Sequence, residues 1–245
     1  MRSFMIKCLP PLICLQLISC SLFEPKTGKS DTYTFFSSSL SNLSTILVYY
    51  PESFASSTPV IYLLNGRGAD ASAWSSGIDL EQEAYDRDII FVSLTAGSYT
   101  YTNNTAGGDA NYEDYILEVV EKFEESYEIE IDSSQRALCG ISNGGGGAVY
   151  ILSQHPDSFA ACGSLSGTVY ATTTNYSNLV NKSIRIDVGT EDEQVLIQLR
   201  WLKDRLNLEG ADFDYYEHPG GHDWNFWKEY CPKQFDFLEN IIASG

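Results

Sequence analysis

The chain has 245 residues, 43% of them apolar, which suffices for one domain with a sizeable core and is too little for two full domains. Fifteen basic residues stand against 33 acidic ones, a formal net charge of −18. That balance argues against nucleic acid and against anionic membrane surfaces as partners, and fits a neutral or uncharged polymeric one.

Residues 1–20, MRSFMIKCLPPLICLQLISC, place Arg2 and Lys7 ahead of an apolar run from Cys8 to Ile18. The run is too short for a stable transmembrane helix and reads as a signal peptide. It closes on Leu17-Ile18-Ser19-Cys20, which resembles a bacterial lipobox, so that Cys20 becomes the lipidated first residue of the mature chain. The alternative is an ordinary secretory signal cut nearby. Residues 21–31 then form a polar tether and residues 32–245 the folded domain. The expected location is extracellular or at the cell surface, with membrane contact only through a lipid on Cys20. Beyond the leader, Cys139, Cys162 and Cys231 are no disulfide framework and have no metal-ligand spacing, so buried free thiols are expected.

TYTFFSSS and STILVYYP read as two early strands, and PVIYLLNG and RDIIFVSLT as buried strands, with a helix within WSSGIDLEQEAYDR between them. In NYEDYILEVVEKFEESY, Tyr112, Tyr115, Ile116, Val119, Val120, Phe123 and Tyr127 follow the three-and-four spacing of one apolar helix face. Then come a strand RALCGIS, a helix from about Asn143 to Gln154, a strand FAACGSLSG and a polar loop to Asn181. Strand SIRIDVGT, helix EQVLIQLRWLKDRLN, strand ADFDYYEHP and a helix from Trp224 complete the chain. Buried strands alternating with helices predict an α/β fold with a mostly parallel central sheet covered by helices on both faces. Ligands bind such sheets beyond the C-terminal strand ends.

One short segment lies at such an end. Gly140-Ile141-Ser142-Asn143-Gly144 is G-x-S-x-G between an apolar strand and a helix, the setting of a nucleophile elbow. The turn crowds the positions two before and two after the serine, and both are glycine. Gly145, Gly146 and Gly147 follow, where each Gly inside a helix costs about 1 kcal/mol relative to Ala, so close backbone approach is the expected reason. A linker does not fit between continuing elements, and a P-loop would need Gly-Lys-Ser/Thr.

A serine nucleophile needs a base oriented by a third group. Of three histidines, His155 caps the far end of the elbow helix and His218 ends a strand, both read as structural. His222 follows Gly220-Gly221 on a loop at the same sheet edge as Ser142 and is the expected base. The strand before supplies Asp187, Glu191 and Asp192; Asp187 lies inside the strand, and position does not separate Glu191 from Asp192 as the acid. The order serine, acid, histidine is that of α/β-hydrolases. The oxyanion hole is expected from the backbone N–H of Asn143 and that of Arg67 or a neighbour in NGRGAD.

Taken together, YLLNGRGADASAW, GISNGGGGA, DVGTED and PGGHDWNFW resemble the esterase-D-like α/β-hydrolases, a group with feruloyl and acetyl-xylan esterases, tributyrin-type esterases and S-formylglutathione hydrolases. The resemblance spans about Ser44 to Ile242 and implies an α/β-hydrolase fold and serine carboxylesterase chemistry without cofactor or metal. It places the acid on Asp192 and the second oxyanion donor on Arg67. The family often has His where this chain has Asn65 and Met where it has Asn143, which predicts a more polar acyl pocket. The short segment from Thr168 to Asn181 predicts an open site, and Trp74, Trp224 and Trp227 are possible walls for an aromatic or sugar group. With export, the implied substrate is an ester on an extracellular polymer, such as acetyl or feruloyl groups on xylan. A short-chain lipid esterase, an acyltransferase and a non-catalytic carbohydrate-binding protein on the same fold are the alternatives.

Overall fold

The computed structural model describes residues 28–95, 100–103 and 110–243. The expected signal peptide, most of the expected tether and Cys20 lie outside the described residues.

Among the described residues eight strands form one sheet: β1 (Lys29–Ser37), β2 (Asn42–Tyr50), β3 (Val60–Leu64), β4 (Ile90–Leu94), β5 (Arg136–Ile141), β6 (Ala161–Leu165), β7 (Ser183–Gly189) and β8 (Phe213–His218). Their order is β1-β2-β4-β3-β5-β6-β7-β8. β1 and β2 form an antiparallel hairpin, β2 runs antiparallel to β4, and every pair from β4 to β8 is parallel. β1 starts at Lys29, paired with Tyr50, so the expected tether loses its last three residues to the sheet.

The apolar runs are continuous because both sheet faces are covered. Along β3, Val60, Tyr62 and Leu64 enter one core while Ile61 and Leu63 enter the other, the period of two that a strand imposes. Helices α2 (Tyr112–Ser126), α3 (Asn143–Gln154) and α4 (Glu193–Glu209) pack in the first core; α1 (Leu80–Arg87) and α5 (Trp224–Ile242) pack in the second. The helix expected within residues 74–87 is α1, which Asp79 caps by accepting from the Gln82 amide. In α2 the predicted stripe is met, with Tyr112, Tyr115, Ile116, Val119 and Phe123 buried.

The same alternation decides the cysteines. Cys139 pairs in register with Gly163 and Leu138 with Cys162, so the two thiols enter opposite cores. All three described cysteines are free and buried, and burial pushes each thiol pKa up.

The chain leaves β3 to build β4 on one side and later returns to place β5 on the other. The loops after β3 and β5 therefore diverge, opening a crevice at the C-terminal edge of the sheet.

Candidate active site

Ser142 stands in that crevice, between β5 and α3, with φ +53° and ψ −120°. A non-glycine residue in this region is strained, and here the surroundings hold it. Its amide donates to the Leu165 carbonyl at 2.9 Å, and its own carbonyl accepts from Gly146 N at 3.2 Å and Thr168 N at 3.1 Å. The flanking glycines are required by contact. A Cβ on Gly140 would lie 2.0 Å from the Gly144 carbonyl oxygen, and one on Gly144 would lie 2.0 Å from that of Leu64. The elbow thus presses on its own far side and on the end of β3.

The loop after β3 comes up against Ser142. A Cβ on Gly66 would meet the Ser142 Cβ at 3.5 Å, an ordinary contact, so the residue before Arg67 lies beside the serine. Asn143, the first residue of α3, lies at the helix end where amides lack intrahelical carbonyl partners. The two backbone segments expected to form an oxyanion hole therefore flank Ser142.

His222 Nε2 lies 2.8 Å from Ser142 Oγ, and His222 Nδ1 lies 2.5 Å from Asp192 Oδ2. With Nδ1–H donated to the carboxylate, Nε2 keeps its lone pair for the serine proton. The loops that carry Asp192 and His222 are bound to one another: Thr190 N donates to His218 O at 2.7 Å, and Glu191 N to Gly220 O at 2.9 Å. Gly189 permits the crossing, since a Cβ there would lie 2.2 Å from the Gly220 oxygen. Asp192 is buried and turned to the histidine, whereas Glu191 is exposed. Asp223, next to His222, caps α5 by accepting from Asn225 N and Phe226 N, which fixes the loop at its other end.

The other histidines are used elsewhere. His155 pairs with Glu113 at 2.9 Å behind α3. His218 makes a second His–Asp pair, 2.7 Å from Asp187 Oδ1, and stacks on Tyr230 with ring centroids 3.9 Å apart. Asp187 is fully buried and also accepts from Arg185 and Gln234, so it is spent inside the protein.

Three expectations change. Trp74 has no exposed surface; it sits in the core beside Phe235 and cannot wall a substrate site. Trp227 is buried too, but it borders the site: its indole lies edge-on to His222 at 5.2 Å and donates to Ser166 Oγ at 3.3 Å, backing that imidazole. Trp224 is half-buried over Gly77 and packs edge-on against both. The more polar pocket does not follow either, because both asparagine side chains point into the protein. Asn65 Nδ2 donates to the Leu94 carbonyl, and Asn143 Oδ1 accepts from the Tyr170 hydroxyl at 2.7 Å. The segment from Thr168 to Asn181 folds onto the end of α3, with Asn178 donating to Ser153 O and Gln154 to Thr173 O. His222 stays exposed, beside an open cleft lined by Thr168, Glu191, Gln194 and Val195.

A parallel sheet with this topology and a strained serine at the end of its fifth strand define an α/β-hydrolase. The chain belongs to the Esterase family, whose model matches residues 37–237. A ferulic acid esterase superimposes with a TM-score of 0.78 at 22% identity, covering 87% of this chain and 98% of that one. An S-formylglutathione hydrolase from Staphylococcus aureus gives 0.76 at 18% identity, covering 87% and 97%. Among curated proteins, the MPT51 antigen of Mycobacterium leprae (strain TN) is 30% identical over 135 residues, 53% of this chain and 44% of that protein. An acetyl esterase of Caldicellulosiruptor saccharolyticus is 36% identical over 50 residues, 20% of this chain and 19% of that enzyme. The chain thus aligns with less than half the length of these curated relatives.

Proposed function

We propose that the protein is a serine carboxylesterase in which Ser142, His222 and Asp192 carry the reaction. The observation that supports this most directly is the continuous hydrogen-bonded chain from Asp192 through His222 to Ser142 Oγ. Ser142 Oγ attacks the ester carbonyl while its proton passes to His222 Nε2. The negative oxygen is met by the backbone N–H groups of Arg67 and Asn143. Collapse of the tetrahedral intermediate expels the alcohol, which takes the proton from His222, and leaves an acyl-enzyme. Water then attacks, His222 accepts its proton, and that proton returns to Ser142 Oγ as the acid departs. Asp192 keeps the imidazole oriented and stabilises its charged form.

The substrate we propose is an acetyl or feruloyl ester on an extracellular polysaccharide such as xylan. The signal-like leader with Cys20, the acidic net charge and the open cleft favour a large uncharged partner met outside the cell. The test offers p-nitrophenyl acetate, p-nitrophenyl butyrate, methyl ferulate and acetylated xylan to the protein and to Ser142→Ala. Hydrolysis of xylan-borne acetate or methyl ferulate that vanishes in the variant is the expected result. Turnover of p-nitrophenyl butyrate alone would refute the polysaccharide reading, and equal rates for the two proteins would refute Ser142 as nucleophile. Incorporation of labelled palmitate that is lost in Cys20→Ser would support the anchor.

A further inference from the structure

Tyr101 and Tyr170 lie outside the Ser-His-Asp chain, yet both their hydroxyls bond to residues close to Ser142, Tyr101 to the Asn65 carbonyl and Tyr170 chiefly to the Asn143 side chain. The Tyr101 hydroxyl donates to the Asn65 carbonyl at 3.0 Å, on the loop that continues into Gly66 and Arg67. The Tyr170 hydroxyl lies 2.7 Å from Asn143 Oδ1 and 3.1 Å from the Asn143 carbonyl, and it accepts from the Tyr101 amide at 3.4 Å. One path of hydrogen bonds thus runs from the loop after β3, through two tyrosines, to the first residue of α3.

The glycine run makes room for this path. A Cβ on Gly147 would lie 2.4 Å from Tyr101 Cδ2 and 2.7 Å from its Cγ, so the Tyr101 ring rests directly on the helix backbone. A Cβ on Gly146 would lie 1.9 Å from the Thr168 carbonyl oxygen, so the segment that carries Tyr170 also closes on the helix. Thr168 N donates to the Ser142 carbonyl at 3.1 Å, and the Tyr170 ring packs on Tyr150 with centroids 5.7 Å apart. Tyr101 is fully buried.

We infer that Tyr101 and Tyr170 form a clasp that positions the two oxyanion donors, with Asn143 as the side chain through which Tyr170 acts. The inference rests on the oxyanion role proposed above for the amides of residues 67 and 143, and it does not depend on which ester is the substrate. Both tyrosines are positioning residues, because neither hydroxyl needs to touch substrate. Oxyanion stabilisation comes from donors fixed before charge develops, and a hole whose two halves lie on separate loops needs something to hold their spacing. Methionine at position 143 could not accept the phenol's proton strongly, whereas asparagine does, so Asn143 and Tyr170 work as a pair.

The experiment uses the full chain, p-nitrophenyl acetate and phenylboronic acid, whose tetrahedral adduct on Ser142 reads the oxyanion site. In Tyr170→Phe, kcat is expected to fall about tenfold with KM within about twofold, and the boronate Ki to rise by about the same factor as kcat falls. In an Asn143→Met background, the same Tyr170→Phe change is expected to produce less than about a twofold further loss. A folded Tyr170→Phe protein with wild-type kcat and Ki would overturn the clasp. So would a loss of equal size in both backgrounds, or a kcat loss with Ki unmoved. Tyr101→Phe is the second variant; should it fail to fold, the cycle at Tyr170 decides alone. Wild-type activity in Ser142→Ala would instead defeat the underlying site assignment, a result distinct from failure of the clasp.

Discussion

Replacing Gly144 with alanine tests whether the glycines after the serine answer to close approach. The new Cβ would sit 2.0 Å from the Leu64 oxygen, 2.4 Å from the Leu64 carbonyl carbon and 2.7 Å from the Asn65 oxygen, all backbone. No rotamer relieves the contact, so α3 and the loop after β3 must separate by about 1 Å, with an overpacking cost near the upper end of the usual range, about 3 kcal/mol. Alanine returns about 1 kcal/mol of helix propensity. The net loss of about 2 kcal/mol corresponds to a fall in Tm of about 4–8 °C for a chain of this size. Since the displaced loop carries the Gly66–Arg67 backbone over Ser142, kcat is expected to fall about 100-fold. Gly66→Ala is the comparison, because its Cβ meets Ser142 only at 3.5 Å, and its stability should stay within about 0.5 kcal/mol of the parent. Calorimetry and p-nitrophenyl acetate kinetics measure both. A Gly144→Ala protein with Tm within about 1 °C and kcat within about twofold of the parent would refute the reasoning.

The two His–Asp pairs should separate cleanly. Asp192→Asn is expected to lower kcat by about 10⁴-fold with little change in Tm, because the wrong imidazole tautomer then faces Ser142. Asp187→Asn should instead cost about 3 kcal/mol in urea unfolding by leaving the Arg185 guanidinium with a broken ion pair, while kcat stays within a few-fold; the reverse pattern would exchange their roles. Glu118 joins α2 to the end of β1. Although burial works against its charge, bonds from Ser37, Ser38 and Ser39 hold its pKa down to about 2. A depressed carboxylate stabilises the fold above its ordinary value of 4.5, and that contribution drains away as pH falls toward about 2. The stability difference between the parent and Glu118→Gln should shrink over that window, and a difference independent of pH would exclude the linkage.

Features governed by neighbours in the chain are legible in the sequence. Periodicities of two and of three-to-four residues mark the strands and α2, since each reports only which side of an element is buried. The elbow is legible because its steric demand falls on Gly140 and Gly144, two residues either side of Ser142. His222 stands out by its position on the sheet edge that carries Ser142. The family resemblance, and not spacing, chooses Asp192 over Glu191; in the structure the choice follows from the loops after β7 and β8 bonding to each other, which turns one carboxylate inward and leaves its neighbour in water.

What depends on distant partners is not legible there. Trp74 and Trp227 look alike in the sequence, yet one is enclosed by α5 and the other backs His222. Asn65 and Asn143 suggest a polar pocket, but their amides turn to Leu94 and Tyr170, 29 and 27 residues away. Gly146 and Gly147 announce a close approach without naming Thr168 and Tyr101 as what approaches. By itself the sequence determined the order of elements, the elbow and the place of His222 at the sheet edge that carries Ser142. Tertiary structure alone decided the partner of each buried polar group, because a hydrogen bond is short and directional and its two ends meet only when separate loops converge at one edge of the sheet.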